Sequence, residues 1–151
     1  MSRPLPDRIE LAAPGLAALG ARALGVLPGP LRRRALQSAF DRARNAFNRG
    51  DIEAVMALFA PDVSYVPPAP LGEQEITGLQ AVLAFWRAVL ARYPQSSIEN
   101  LAIREAAPGR FVRTARLRHA GQGAEPLEYE IVQTTILRGG RVVRQVNELE
   151  Q

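Results

Sequence analysis

Few side chains in this chain are equipped to do chemistry, and their types narrow the reactions open to it. The 151 residues include no cysteine and no lysine; all 19 basic residues are arginine, and His119 is the single histidine. Thiolate nucleophiles, disulfides and cysteine metal ligands are therefore excluded. A Schiff-base lysine or lysine general base is excluded too. One histidine cannot build a multi-histidine metal centre, so no metal and no cofactor is expected. What remains is carboxylates, tyrosine, arginine, hydroxyls, amides and His119. The spacing of the polar candidates is informative. Arg113 and His119 lie six residues apart in a run with Ala115 and Leu117 between them at every second position, and Gln145 and Asn147 are two apart. A period of two places such residues on one face of a strand.

The elements that must position these groups follow from punctuation and periodicity. Residues 1–30 are rich in Ala, Leu, Gly and Pro, and Leu11–Leu27 is interrupted by Pro14, Gly15, Gly20, Arg22 and Gly25. That pattern suits neither a membrane span nor a secretory signal, which points to a cytoplasmic protein. A short amphipathic helix forming an N-terminal extension is expected there, with a flexible or membrane-surface arm as the alternative. Residues 31–151 form one domain. A helix is predicted over Leu31–Asn48, with Leu36, Phe40, Ala43 and Phe47 as its buried stripe. Gly50 stops it, Asp51 caps a second helix over Ile52–Phe59, and Pro61 follows that helix. A strand over Val63–Val66 leads to a proline-rich loop, Pro67–Glu75, long enough to be a lid or rim. Thr77 and Gln80 read as a capping box opening a helix that ends at Tyr93. Val82, Trp86, Val89 and Tyr93 share one of its faces, with Phe85 beside them. Strands over Ile98–Glu105, Arg110–His119, Leu127–Leu137 and Arg141–Glu150 close the chain. Their turns are Pro108-Gly109, a Gly121–Pro126 loop and Arg138-Gly139-Gly140. Helices first and a meander afterwards make an α+β fold, with helices against one face of a curved antiparallel sheet.

Four segments carry a resemblance. They are Ala46-Phe47-Asn48-Arg49-Gly50-Asp51, Leu58-Phe59-Ala60-Pro61-Asp62-Val63, Ile76-Thr77-Gly78 with Ala81-Val82 and Phe85-Trp86, and Leu137-Arg138-Gly139-Gly140-Arg141-Val142-Val143. Together, over about residues 35–150, they resemble the SnoaL-like branch of the nuclear-transport-factor-2-like superfamily, whose relatives include polyketide cyclases, ketosteroid isomerases and limonene epoxide hydrolases. The resemblance implies a cone-shaped α+β barrel with a pocket between sheet and helices, and a homodimer through the outer sheet face. It does not carry a mechanism with it. The general base of the isomerases matches Pro67 here, their oxyanion-holding tyrosine matches Ala43, and their second acid falls near Gln133 or Val132. The epoxide hydrolases' Asp-Arg-Asp set is not visible as a group.

In such a barrel, alternation points Tyr65, Arg113, Ala115, Leu117 and His119 inward, with Tyr129, Ile131, Gln133, Thr135 and Leu137, and with Gln145, Asn147 and Leu149. Tyr65, Arg113 and His119 are the candidate catalytic groups. Tyr65 offers a donor to a developing oxyanion, or simple packing. Arg113 offers a clamp for a carboxylate or enolate, or a structural pair with Glu130. His119 is either a general base or a solvated histidine at a strand end. Gln133, Gln145 and Asn147, with Phe40, Phe47 and Trp86, are the candidate ligand contacts; Phe85 completes the apolar wall. The expected function is a hydrophobic pocket for a small molecule, acting as an isomerase, cyclase or hydratase on a hydrophobic carbonyl or polycyclic compound. The alternative is a non-catalytic binding module or dimeric scaffold. The net charge of +4 includes the cluster Arg32-Arg33-Arg34 with Arg42, Arg44 and Arg49. It reads as a solvated helix face without the interleaved aromatics of single-strand binding, so no nucleic-acid partner is expected.

Overall fold

In a computed structural model of the protein, residues 29–151 are described. The expected N-terminal helical extension lies outside them. Helix α1 spans Gly29–Asn48 and α2 Ile52–Val55; β1 is Phe59–Val66 and β2 Ile76–Thr77; α3 is Leu79–Arg92. Four long strands follow: β3 Gln95–Ala107, β4 Arg110–Gly121, β5 Ala124–Arg138 and β6 Arg141–Leu149. They form one six-stranded curved sheet in the order β2-β1-β6-β5-β4-β3. No helix among the described residues is long and apolar enough to cross a membrane.

The sheet is mixed rather than purely antiparallel, because β1 and β6 run side by side in the same direction. The meander β3–β6 walks back across the sheet from its far edge. It therefore brings the last strand against the first from a direction that no local hairpin sets. This pairing also shortens α2. Met56 leaves helical geometry, and Val142 N–H donates to Leu58 O at 2.8 Å, drawing Leu58 and Phe59 into the sheet before Pro61 is reached. Pro61 thus sits inside β1, not after a helix. It falls in an irregular stretch between Phe59 and Ser64 where β2 provides no partner, so its missing N–H breaks no ladder bond.

The capping box does not form. Thr77 pairs with Ser64 in β2, and Gly78, at φ +97°, is the N-cap of α3 and makes no side-chain cap bond. Gly78 N–H instead donates to Val63 O at 2.8 Å. A turn in the left-handed region between strand and helix suits glycine. The β4–β5 connection is also tighter than a six-residue loop, with Gly121 opposite Ala124. Pro126 is accommodated because β6, ending at Leu149 opposite Ile131, no longer runs alongside it.

The core lies between α1, α2 and α3 and the concave face of the sheet. Val63, Val82 and Ala115 are fully buried, with Tyr65, Trp86, Leu117 and Ile131 close to it. Phe47 and Phe85 both meet Trp86 edge-on, at 5.4 and 5.6 Å between ring centroids. Of the expected α1 stripe, Phe47 is buried with its neighbour Ala46, whereas Leu36, Phe40 and Ala43 are half-buried and face a chamber.

Candidate functional site

The concave face is hollow toward one end. An outer chamber of about 560 Å³ opens between α1, α2 and the β3–β4 and β5–β6 turns; Leu36, Phe40, Val55, Phe111 and Leu137 form its apolar wall. An inner chamber of about 80 Å³ continues toward the centre of the sheet, and Phe40, Ala43, Val55, Phe59 and Gln145 line both. At the rim, Arg32 of α1 pairs with Glu105 of β3 at 2.5 Å. Glu105 is the only carboxylate that lines either chamber among the described residues.

Strand alternation delivers the floor of the inner chamber. Tyr65 of β1, Arg113 of β4, Gln133 of β5, and Gln145 and Asn147 of β6 all line it, with Phe47 and Trp86 opposite them. Trp86 Nε1–H donates to the Tyr65 hydroxyl at 2.9 Å. Gln133 Nε2 donates to Asn147 Oδ1 at 2.8 Å, and Asn147 Nδ2 donates to Val66 O at 2.8 Å. Gln145 Nε2 donates to Thr135 Oγ1 at 3.0 Å. The amides are thus partly consumed in a network that ties β1, β5 and β6 together.

Arg113 does not pair with Glu130, which faces outward and meets Arg116 at 2.5 Å. The Arg113 guanidinium donates from Nη1 to Asn100 Oδ1 at 3.1 Å and packs over the Phe40 ring at 5.3 Å. Its Nε, together with Asn100 Nδ2 and Gln133 Oε1, is buried and without a partner among the described residues. Burial without a carboxylate lowers the Arg113 pKa to about 10, with the neighbouring Tyr65 opposing the shift. The guanidinium remains charged at neutral pH. Burial pushes the Tyr65 phenol well above its ordinary range, outweighing the Trp86 hydrogen bond and the Arg113 charge that favour the phenolate. Tyr65 is therefore a neutral hydroxyl at the floor.

His119 is neither solvated nor part of this floor. It is 1% exposed and lines neither chamber. Its Nδ1 is 2.8 Å from Ser96 Oγ and its Nε2 2.8 Å from the Tyr129 hydroxyl. Ser96 Oγ spends its proton on Tyr93 O at 2.7 Å. Ser96 must therefore accept from a protonated Nδ1, which leaves Nε2 bare to accept from Tyr129. Burial lowers the His119 pKa to about 4, so this neutral tautomer holds across the physiological range.

Other expectations shift as well. Pro67–Glu75 is no lid over the outer chamber: Pro67 and Pro68 are buried, Pro68 closes the inner end, and Gly72 packs near Phe85. Phe85 lines neither chamber, and Leu149 is 43% exposed at the end of β6. Sequence reasoning missed Asn100, Ser96 and Glu105. Ser96 and Asn100 were within reach, since stepping by two from the apolar Ile98 puts both on its face. Glu105 was not, because an irregularity between Asn100 and Ala102 changes the parity of β3 before it.

The model of the SnoaL-like domain matches residues 40–145. The chain belongs to the SnoaL-like family. Among solved structures, this SnoaL-like chain is similar to an NTF2-like protein of unknown function from Burkholderia pseudomallei, 22% identical, with TM-score 0.64, over 76% of this chain and 89% of that one. It is similar to TerC co-crystallised with polyporic acid, 19% identical, with TM-score 0.62, over 75% and 89%. It is also similar to a protein of ketosteroid isomerase-like fold from Catenulispora acidiphila in complex with trimethylamine, 17% identical, with TM-score 0.62, over 72% and 82%. No curated protein matches. These likenesses establish the NTF2-like, or cystatin-like, α+β fold.

Proposed function

We propose that this SnoaL-like protein holds a small hydrophobic molecule bearing an oxygen function. The apolar body of the ligand occupies the outer chamber and the oxygen faces the inner floor. One observation carries the reading: an apolar cavity of about 560 Å³, within the usual size of small-molecule sites, leads to buried donors rather than to buried carboxylates. The reaction such a floor suits is isomerisation, cyclisation or hydration of a hydrophobic carbonyl or polycyclic compound, with Tyr65 and Arg113 stabilising oxygen charge as it develops. Relatives of this fold crystallised with polyporic acid and with trimethylamine support a ligand-holding cavity. A second reading, a non-catalytic carrier, is favoured by Pro67 standing where a relative has its base and by Glu105 being tied to Arg32. The functional unit is a homodimer through the convex face of the sheet.

The test uses 2-decanone as a neutral carbonyl probe. Binding should change the fluorescence of Trp86, the only tryptophan and a lining residue of the inner chamber. Tyr65→Phe should weaken it by up to about tenfold, the loss of one hydrogen bond to the carbonyl. Accelerated exchange of the α-protons for deuterium, followed by NMR, supports an enzyme. Binding with no acceleration supports the carrier. Failure of 2-decanone and of its carboxylate analogue decanoate to bind overturns both.

A further inference from the structure

We infer that the inner chamber receives the carboxylate of a hydrophobic carboxylic acid whose apolar body fills the outer chamber. The inference rests on the small-molecule reading above and narrows it to one ligand class.

The argument begins with a charge that lacks its counterpart. Arg113 is 7% exposed, lines the inner chamber and pairs with no carboxylate among the described residues. Its one hydrogen-bond acceptor, Asn100 Oδ1, is neutral and takes only Nη1. The opposite edge, Nε with Nη2, makes no hydrogen bond among the described residues, and Nε is fully buried. That edge is the planar fork that binds a carboxylate through two parallel N–H···O bonds. A buried cation without an anion is unfavourable, and a ligand carboxylate supplies the missing charge at the edge left open. Gln133 stands directly across from Arg113 in the β4–β5 register, and its Oε1 is also buried and unpartnered. Gln133 Oε1 accepts and calls for a donor, so the carboxylate answers to the Arg113 fork alone.

Size selects the head group. A cavity of about 150 Å³ is what accommodates a benzene ring. The inner chamber, at about 80 Å³, admits a carboxylate with a carbon or two but not a ring. Rings and long chains belong in the outer chamber, whose rim carries Arg32 and Arg42. Phe40 lines both chambers and stacks on the guanidinium, holding the fork in place as the ligand's chain passes.

The full chain is titrated with decanoate and with 2-decanone at pH 7.5, reading Trp86 fluorescence and thermal midpoint. Decanoate should bind at least about tenfold more tightly than the ketone and raise the midpoint further at equal concentration. Arg113→Met should abolish this preference by weakening decanoate binding far more than ketone binding, and leave the unliganded protein as stable as before or more so. An arginine kept only for structure would instead lose stability on removal. Arg113→Lys, which keeps the charge but loses the fork, should retain part of the preference. Ketone binding with equal or weaker decanoate binding overturns the carboxylate site alone. Failure of both probes removes the cavity reading with it.

Discussion

His119 keeps one proton on Nδ1 and a bare Nε2, held between Ser96 and Tyr129 beneath the Tyr93 and Trp86 rings. A sequence shows a lone histidine near a strand end; it cannot show that a serine twenty-three residues back and a tyrosine ten residues on will close around it. The arrangement has a pH consequence. The unfolded histidine protonates near its ordinary 6.5 and the folded one only near 4. Between those values the unfolded state binds the extra proton, so stability is complete above about pH 6.5 and declines as pH falls toward 4. The gap corresponds to about 3 kcal/mol. Urea unfolding at pH 7.5, 6.0 and 4.5 should show this decline, and His119→Gln should lose it while the carboxylate contribution common to both proteins remains. Parallel pH curves for the two proteins would contradict the buried neutral histidine. Tyr65 and Arg113 were legible as inward groups from alternation alone. Whether they met a base, a counter-ion or neither was a matter of tertiary neighbours, and among the described residues neither meets a carboxylate.

Among the elements, the segment joining α1 to α2 explains why its residue types recur as a recognisable unit. Asn48 Oδ1 accepts from Ile98 N–H at 2.7 Å and Asn48 Nδ2 donates to Ile98 O at 3.1 Å, so one side-chain amide satisfies both backbone groups of a residue on the edge strand β3. Gly50, at φ +78°, turns the chain, and Asp51 caps α2 by accepting from Ala54 N–H at 3.3 Å. Asn48→Ala should cost about 1–3 kcal/mol, since it leaves two backbone groups of a buried residue without partners. Asn48→Asp should also destabilise, because it keeps the acceptor for Ile98 N–H but sets a second acceptor against Ile98 O. Denaturant midpoints check both; wild-type stability in either variant would mean that water replaces the clamp. The sequence shows Asn48 only as a helix stop. Its second use, against a strand fifty residues away, is written in no local pattern. The same limit explains Thr77 and Pro61, whose local signals for a cap and a helix end are overridden by pairing with β1 and β6.

For the molecule as a whole, among the described residues the convex face of the sheet is the surface that α1, α2 and α3 leave uncovered. Val112, Thr134 and Val146 lie in register across β4, β5 and β6, and Thr114 and Val132 pair beside them. Arg116 and Arg118 alternate with Glu99, Glu128 and Glu130 along one side of this strip. An apolar strip bordered by paired charges suits a second copy of the chain, which would meet it through the same residues. Light scattering should therefore give twice the chain mass of 16.5 kDa. Replacing Val132 and Val146 by glutamate, on the convex face and away from both chambers, should halve that mass and leave 2-decanone binding intact. A wild-type monomer would contradict the dimer.

By itself the sequence determined what depends on neighbours along the chain. The helix of Trp86, the inward parity of Tyr65, Arg113, Gln133, Gln145 and Asn147, the glycine turns and the absence of thiol and lysine chemistry all follow from period, punctuation and composition. Only the tertiary structure decided what those side chains meet. The parallel β1–β6 pairing, the burial of His119, the clamp of Asn48 on Ile98 and the setting of the Arg113 guanidinium between Asn100 and Phe40 each join residues apart in the chain. Such contacts are fixed by how the curved sheet closes over the helices, and closure depends on the whole set of strands together rather than on any one of them.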